Sequence, residues 1–166
     1  MKHPVLKRAA AILAGVLILV VSFPALAETL TGQIRMETPE GRVLRGTDLR
    51  VLLATEPVFA PPSLSDLPTE PNQRYEQLNR LHLDYFEKVT RRQNDPGFRV
   101  GATVSDEKGR FIFSGVAPGR YFVIITFPAA LDGYKVAWQV PVVLLRGSRP
   151  ACLLDGKNLL LPAVKR

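Results

Sequence analysis

The chain has 166 residues and a formal net charge of +7, with 22 Lys and Arg against 15 Asp and Glu. That length suits one hydrophobic core of ordinary size. A single cysteine excludes an internal disulfide framework, and with only two histidines it falls short of a structural zinc set, so no metal or cofactor site is expected.

Met1 to Arg8 is basic, Ala9 to Val21 is uninterrupted apolar, and Ala25-Leu26-Ala27 is a small-x-small cleavage pattern. This is the order of a secretory signal peptide covering residues 1–27, with cleavage expected between Ala27 and Glu28. The apolar run is shorter than the roughly 20 residues of a membrane span. An uncleaved N-terminal anchor is the alternative, so membrane contact is expected only through this segment. Export follows, with the periplasm first and free secretion or anchoring second. Removing Lys2, Lys7 and Arg8 with the leader lowers the net charge from +7 to +4. The remaining basic residues are scattered, with Arg91-Arg92 the one dense spot, which argues against nucleic acid as a partner.

Residues 28–166 read as one mainly β domain. Leu30 to Met36 and Asp48 to Ala54 are the first strand candidates. An insertion over 56–97 follows. Its first part holds Pro57, Pro61, Pro62, Pro68 and Pro71, which oppose regular structure. Over about 72–93 the period changes. Tyr75, Leu78, Leu81, His82, Tyr85, Phe86 and Val89 recur at three- and four-residue steps, the stripe of an amphipathic helix. Glu76/Arg80, Asp84/Lys88 and Glu87/Arg91 pair acid before base on its other side. Asn72 is placed to cap the helix, and Asn94-Asp95-Pro96-Gly97 to stop it. Phe98 to Ser105 returns to strand character.

The run 105–125 is the most informative. Asp106-Glu107-Lys108-Gly109 is a polar turn ending in glycine. Phe111 and Phe113 then alternate with Arg110 and Ile112. Val116-Ala117-Pro118-Gly119 breaks the strand, and Tyr121, Val123, Ile125 and Phe127 alternate again up to Pro128. Two short strands about such a corner predict an antiparallel pair. Ile112, Phe122 and Ile124 make its second face apolar. The helix is expected to cover that face, and the rival reading makes its stripe at Tyr85 and Phe86 a docking surface.

Further on, Tyr134, Val136, Trp138, Val140 and Val142 alternate, with Pro141 marking an edge strand or bulge. Tyr134 and Trp138 are either core or a sugar-stacking platform. Arg146-Gly147-Ser148-Arg149-Pro150 is a loop. Cys152 sits in the apolar Ala151-Cys152-Leu153-Leu154 and reads as a small core residue. Leu159-Leu160-Leu161 looks like a last strand.

The turn, aromatic-x-aromatic strand and Pro-Gly-x-Tyr corner resemble the carboxypeptidase regulatory-like family. The positions that carry the likeness are Asp106, Gly109, Phe111, Phe113, Pro118, Gly119 and Tyr121, with a weaker match at Gly32-Gln33-Ile34, Gly41 to Gly46 and Val51-Leu52-Leu53. The resemblance implies a seven-stranded Greek-key antiparallel β-sandwich of transthyretin-like or collagen-adhesin B type. It implies no peptidase activity. Similar sandwiches of pilins often carry a Lys–Asn isopeptide link. Asn158 stands ready for one, but no lysine lies between Glu28 and Ala54.

There is no G-x-S-x-G elbow, phosphate loop or H-E-x-x-H, and His82 lies on the apolar helix stripe. No catalytic residue is therefore assigned. The reading is a non-catalytic exported module serving protein binding or envelope assembly, its partner an envelope protein or polysaccharide. A carbohydrate-binding module of starch-binding-like type and an accessory subunit of an enzyme are the alternatives. Tyr85, Phe86, Tyr134 and Trp138 are the candidate partner surface.

Overall fold

A computed structural model describes residues 27–61, 63–125 and 129–165. The leader up to residue 26 and the expected strand end at Phe127 and Pro128 lie outside them. The elements run β1 (Glu28–Glu37), β2 (Val43–Arg45), β3 (Arg50–Ala54), a one-turn 3-10 helix (Leu64–Asp66), α1 (Pro71–Arg92), β4 (Arg99–Val104), β5 (Arg110–Val116), β6 (Gly119–Ile125), β7 (Ala130–Leu131), β8 (Tyr134–Ala137), β9 (Gln139–Leu144), β10 (Ala151–Leu154) and β11 (Leu161–Lys165).

The fold is mainly β and sandwich-like, with one α-helix. Eleven strands stand among the described residues where seven were expected. They form three sheets. In the first, β1 is flanked by β10 on one edge and by β5 and then β2 on the other. The second runs β4-β3-β6-β9, and the third is a small β11-β8-β7 sheet. The pairing is not wholly antiparallel, because β10 runs parallel to β1. β1 and β10 are joined through most of the chain and not by a hairpin, which leaves the parallel register open to them.

The Pro118-Gly119 corner does not close a hairpin. β5 pairs with β1, whereas β6 pairs with β3 and β9, so the corner carries the chain between layers. Leu30, Ile34, Phe111 and Phe113 enter the core from one layer, and Val51, Leu53, Val123 and Ile125 from the other. A Cβ on Gly101 would stand 3.3 Å from Phe113, a measure of how closely the layers meet. Within the first layer the Phe111 ring lies over Gly32, where a Cβ would come within 2.0 Å of it.

The predicted strand over 134–143 divides at Trp138 into β8 and β9, which belong to different sheets. Pro141 falls on β9, an edge strand, where its missing N–H costs no ladder bond. The last strand begins at Leu161, so Leu159 and Leu160 precede it.

α1 starts one residue before the expected position. Pro71 suits the first helical position because it has no N–H to satisfy. The cap is therefore Glu70, whose carboxylate accepts from the N–H groups of Asn72 (3.1 Å) and Gln73 (2.7 Å). Leu78, His82, Tyr85, Phe86 and Val89 are buried, and Tyr75 stays exposed in the first turn. α1 lies against β8 and β11 of the third sheet, where His82 meets the Pro162 carbonyl and Lys135 donates to Asn79 (2.7 Å). Through Tyr85 it covers the outer face of the second sheet, where the buried Leu52 and Ile124 are directly paired. Gln139 shares that face. Its side chain accepts from the Val58 N–H (2.7 Å) and donates to the Phe59 carbonyl (2.8 Å). Phe59 in turn meets Tyr85 edge-on, with ring centroids 6.0 Å apart. Ile112 is on the other sheet and remains 54 % exposed, so the helix covers only part of what the alternation suggested.

Candidate binding surface

The motif residues shape the fold. Asp106 accepts from the backbone N–H groups of Lys108 (2.9 Å) and Arg110 (2.8 Å) and from Arg110 Nε (2.9 Å). These bonds, the Arg110 N–H first, hold its carboxyl below the usual range. Gly109 takes φ +73°, and a Cβ there would lie 2.4 Å from the Ile34 carbonyl oxygen. The Tyr121 hydroxyl donates to the Ala117 carbonyl at 2.9 Å, which ties the half-buried ring across the corner at the exposed Pro118 and half-buried Gly119.

The aromatic candidates do not form a surface. Trp138 is 0 % exposed, and its indole N–H donates to the Asp155 carbonyl at 2.9 Å. It sits at the break between β8 and β9, where strand alternation no longer decides which way a side chain points. Tyr85 and Phe86 are buried. The Tyr85 hydroxyl donates to the Trp138 carbonyl at 2.5 Å, and burial pushes its titration far up. Tyr134 is half-buried, with Lys165 Nζ 5.3 Å from its ring centroid. A platform for stacked sugar rings is thereby lost, and so is a docking stripe on α1.

Groups with chemical potential are absorbed into packing. His82 Nε2 meets the Pro162 carbonyl at 2.9 Å, and Nδ1 is buried without a partner. That pattern assigns a neutral ring donating from Nε2, and burial lowers its proton affinity accordingly. Burial pushes the free Cys152 thiol up to about 11. Asn158 donates to the Leu153 carbonyl at 2.7 Å and accepts from the Asp155 N–H at 3.0 Å, so it closes the turn after β10. Asp84–Lys88 and Glu87–Arg91 are exposed ion pairs. Among the described residues no group of three or more His, Cys, Asp or Glu could hold a metal.

One open surface remains. The outer face of the first sheet and the rim of β4 enclose a groove of about 720 Å³, lined by Thr31, Gln33, Val104, Arg110, Ile112 and Leu153 among others. Register builds it in rows. Ile112 and Ala151 flank Thr31, and Arg110 and Leu153 flank Gln33. The Arg110–Asp106 ion pair (2.8 Å) closes one end. β4 and β10 each pair on one side only, so both rims keep unspent backbone donors and acceptors. Phe111 reaches the lining but is itself buried. A smaller groove of about 310 Å³, lined by Leu64, Leu67, Leu78, Leu81, Leu160 and Pro162 among others, opens beside α1. The larger groove escapes a reading of the sequence because alternation alone assigns Ile112 to a second layer. The signal that marks it is the lone Ile112 between two inward phenylalanines.

No protein-family model and no curated protein matches the sequence. Among solved structures, the chain is similar to a candidate carbohydrate-binding protein from Pseudomonas aeruginosa, with 15 % identity, a TM-score of 0.42, and coverage of 81 % of this chain and 92 % of the other. It is similar to the minor pilin GBS52 of Streptococcus agalactiae, with 8 % identity, a TM-score of 0.44, and coverage of 84 % and 45 %. A third similarity is to the pilus backbone protein RrgB of Streptococcus pneumoniae, with 15 % identity, a TM-score of 0.41, and coverage of 78 % and 40 %. The chain thus spans less than half the length of either pilin.

Proposed function

We propose that this chain is an exported, non-catalytic β-sandwich module that binds an extended segment of an envelope protein in the groove on its first sheet. Export rests on the leader-like residues 1–27. Kinship with carboxypeptidase regulatory-like modules belongs to the same reading and is supported by the Asp106–Gly109 turn and the Pro118-Gly119-x-Tyr121 corner. The observation that carries the reading is the uncovered face around Ile112. Large aliphatic side chains flank a groove whose rim strands have free backbone edges, the combination that takes up an extended peptide. Strand pairing would supply affinity, and alternate apolar side chains would fill the rows. A carbohydrate is the poorer occupant, because no exposed aromatic lines the groove.

A photo-crosslinking residue at Ile112 or Leu153 tests this in cells that export the protein. One adduct of defined mass is expected from both positions and none from Leu83, on the outer side of α1. Leu153→Asp should abolish the Ile112 adduct without unfolding the chain. Equal labelling at Leu83, or binding of polysaccharide with no protein adduct, would overturn the reading.

A further inference from the structure

We infer that the end of the molecule formed by β6, β9 and the turn after β9 docks on an anionic phospholipid bilayer. Arg120 of β6 lies directly across from Val143 of β9, and Leu145 follows where the chain leaves β9 for the turn. The cover over this face reaches its other end, where Ile124, paired with Gln139, is buried, and stops short of Arg120 and Val143, which are exposed. Val143 is 53 % exposed, and Leu145, at 65 %, is the most exposed large aliphatic among the described residues. The turn holding Leu145 is well tied. The Leu145 N–H donates to Ser148 Oγ (3.0 Å) and the Ser148 N–H to the Leu145 carbonyl (3.0 Å). Gly147 sits between them at φ +75°.

Charge favours the same occupant. Arg146 and Arg149 are exposed in this turn, and Arg120 is exposed beside it. None of the three makes an ion pair or side-chain hydrogen bond to another described residue. The acid at this end is Glu28, which is buried and accepts from the Gly147 N–H at 2.8 Å. Unpaired guanidiniums beside exposed aliphatic side chains match the layer where lipid headgroups meet acyl chains. The sequence shows these arginines as scattered; the β6–β9 register and the turn gather them.

The start of the fold adds a second argument. Glu28 opens β1 and is bonded to this turn. The apolar run that ends at Val21 lies seven residues before it, a reach of at most about 25 Å. Until it is cleaved, a leader engaged with the membrane keeps this end of the fold within that reach of the bilayer surface.

The test is an environment-sensitive nitrobenzoxadiazole dye on Leu145→Cys of the exported protein. Cys152 is buried and stays unlabelled in the folded state. Leu83→Cys is the control. On vesicles of phosphatidylglycerol and phosphatidylcholine the dye at position 145 should shift to the blue and brighten about two-fold, and the control should not. Each Arg→Ala change at positions 120, 146 and 149 should weaken vesicle binding about five-fold, with the effect shrinking as salt rises. Trp138 emission confirms that each variant is folded; one that fails is replaced by its Arg→Gln counterpart. An unchanged dye at position 145, an equal response at position 83, or an equal response on pure phosphatidylcholine would overturn the inference. None of these results touches the groove reading, which concerns the other sheet.

Discussion

Tyr85 decides whether the inserted helix is part of the core, and two substitutions divide its contribution. Its ring is 0 % exposed, edge-on to Phe59 with centroids 6.0 Å apart and tilted against Phe86 at 5.1 Å. Its hydroxyl donates to the Trp138 carbonyl at 2.5 Å. Tyr85→Phe removes that bond alone. The Trp138 carbonyl keeps the Ile125 N–H at 3.3 Å, so it is not left unpaired, and the cost should be about 0.5–1.5 kcal/mol. Tyr85→Ala also removes the ring from the joint between α1, the 58–59 segment and the second sheet, a loss of about 3–5 kcal/mol. Urea unfolding followed by emission of Trp138, the single tryptophan, measures both. With a slope of about 2 kcal/mol/M, the midpoint should fall by roughly 0.3–0.7 M for Phe and roughly 1.5–2.5 M for Ala. A partner-docking stripe would behave as surface, within about 0.5 kcal/mol for either change. A Tyr85→Ala midpoint within about 0.25 M of the parent would refute the account of α1 as a cover.

Gly109→Ala should cost more than about 2 kcal/mol, since it adds left-handed strain to a clash with the Ile34 carbonyl; a thermal melt within 2 °C of the parent would contradict the turn geometry. His82 is held neutral by burial, so the unfolded chain takes up its proton first as pH falls below about 6.5. Its stabilising effect is complete above that pH and is lost on acidification towards the lowered folded value, at up to about 1.4 kcal/mol per pH unit. His82→Gln should flatten stability between pH 6.5 and 5, and an unchanged slope would remove His82 as its source. Cys152 should resist a disulfide reagent in the native protein and react stoichiometrically in urea, because burial raises its thiol to about 11 and closes access. Ile112→Asp should leave stability within about 0.5 kcal/mol while removing partner capture, the pattern of a surface residue and not of a core one.

Local chemistry made several features legible before any coordinates. The Asp106–Gly109 turn is one, because its carboxylate and its positive φ act within four residues. The helix is another, since its buried face follows a 3.6-residue period over six turns, and the cap was displaced by two residues only because Pro71 takes the first helical position. Pro141 correctly marked an edge. Long-range features were not legible. The Pro118-Gly119 corner has the same sequence whether it closes a hairpin or crosses between layers, and only the pairing of β5 with β1 distinguishes the two. Trp138 is buried, as its phase with Val136 suggests, but the break there that sends the strand into two different sheets leaves no local signal.

Residue order alone therefore determined the helix, the main strand positions, the Asp106–Gly109 turn and the inward Phe111 and Phe113, because these depend on contacts a few residues apart. The tertiary structure alone decided which apolar surface would stay open. Ile112 is left uncovered because β5 ended in the other sheet from the one α1 covers, and Arg120 joins Val143, Arg146 and Arg149 because β6 pairs with β9. Both outcomes follow from strand pairings between residues far apart in the chain, whose register no local period encodes.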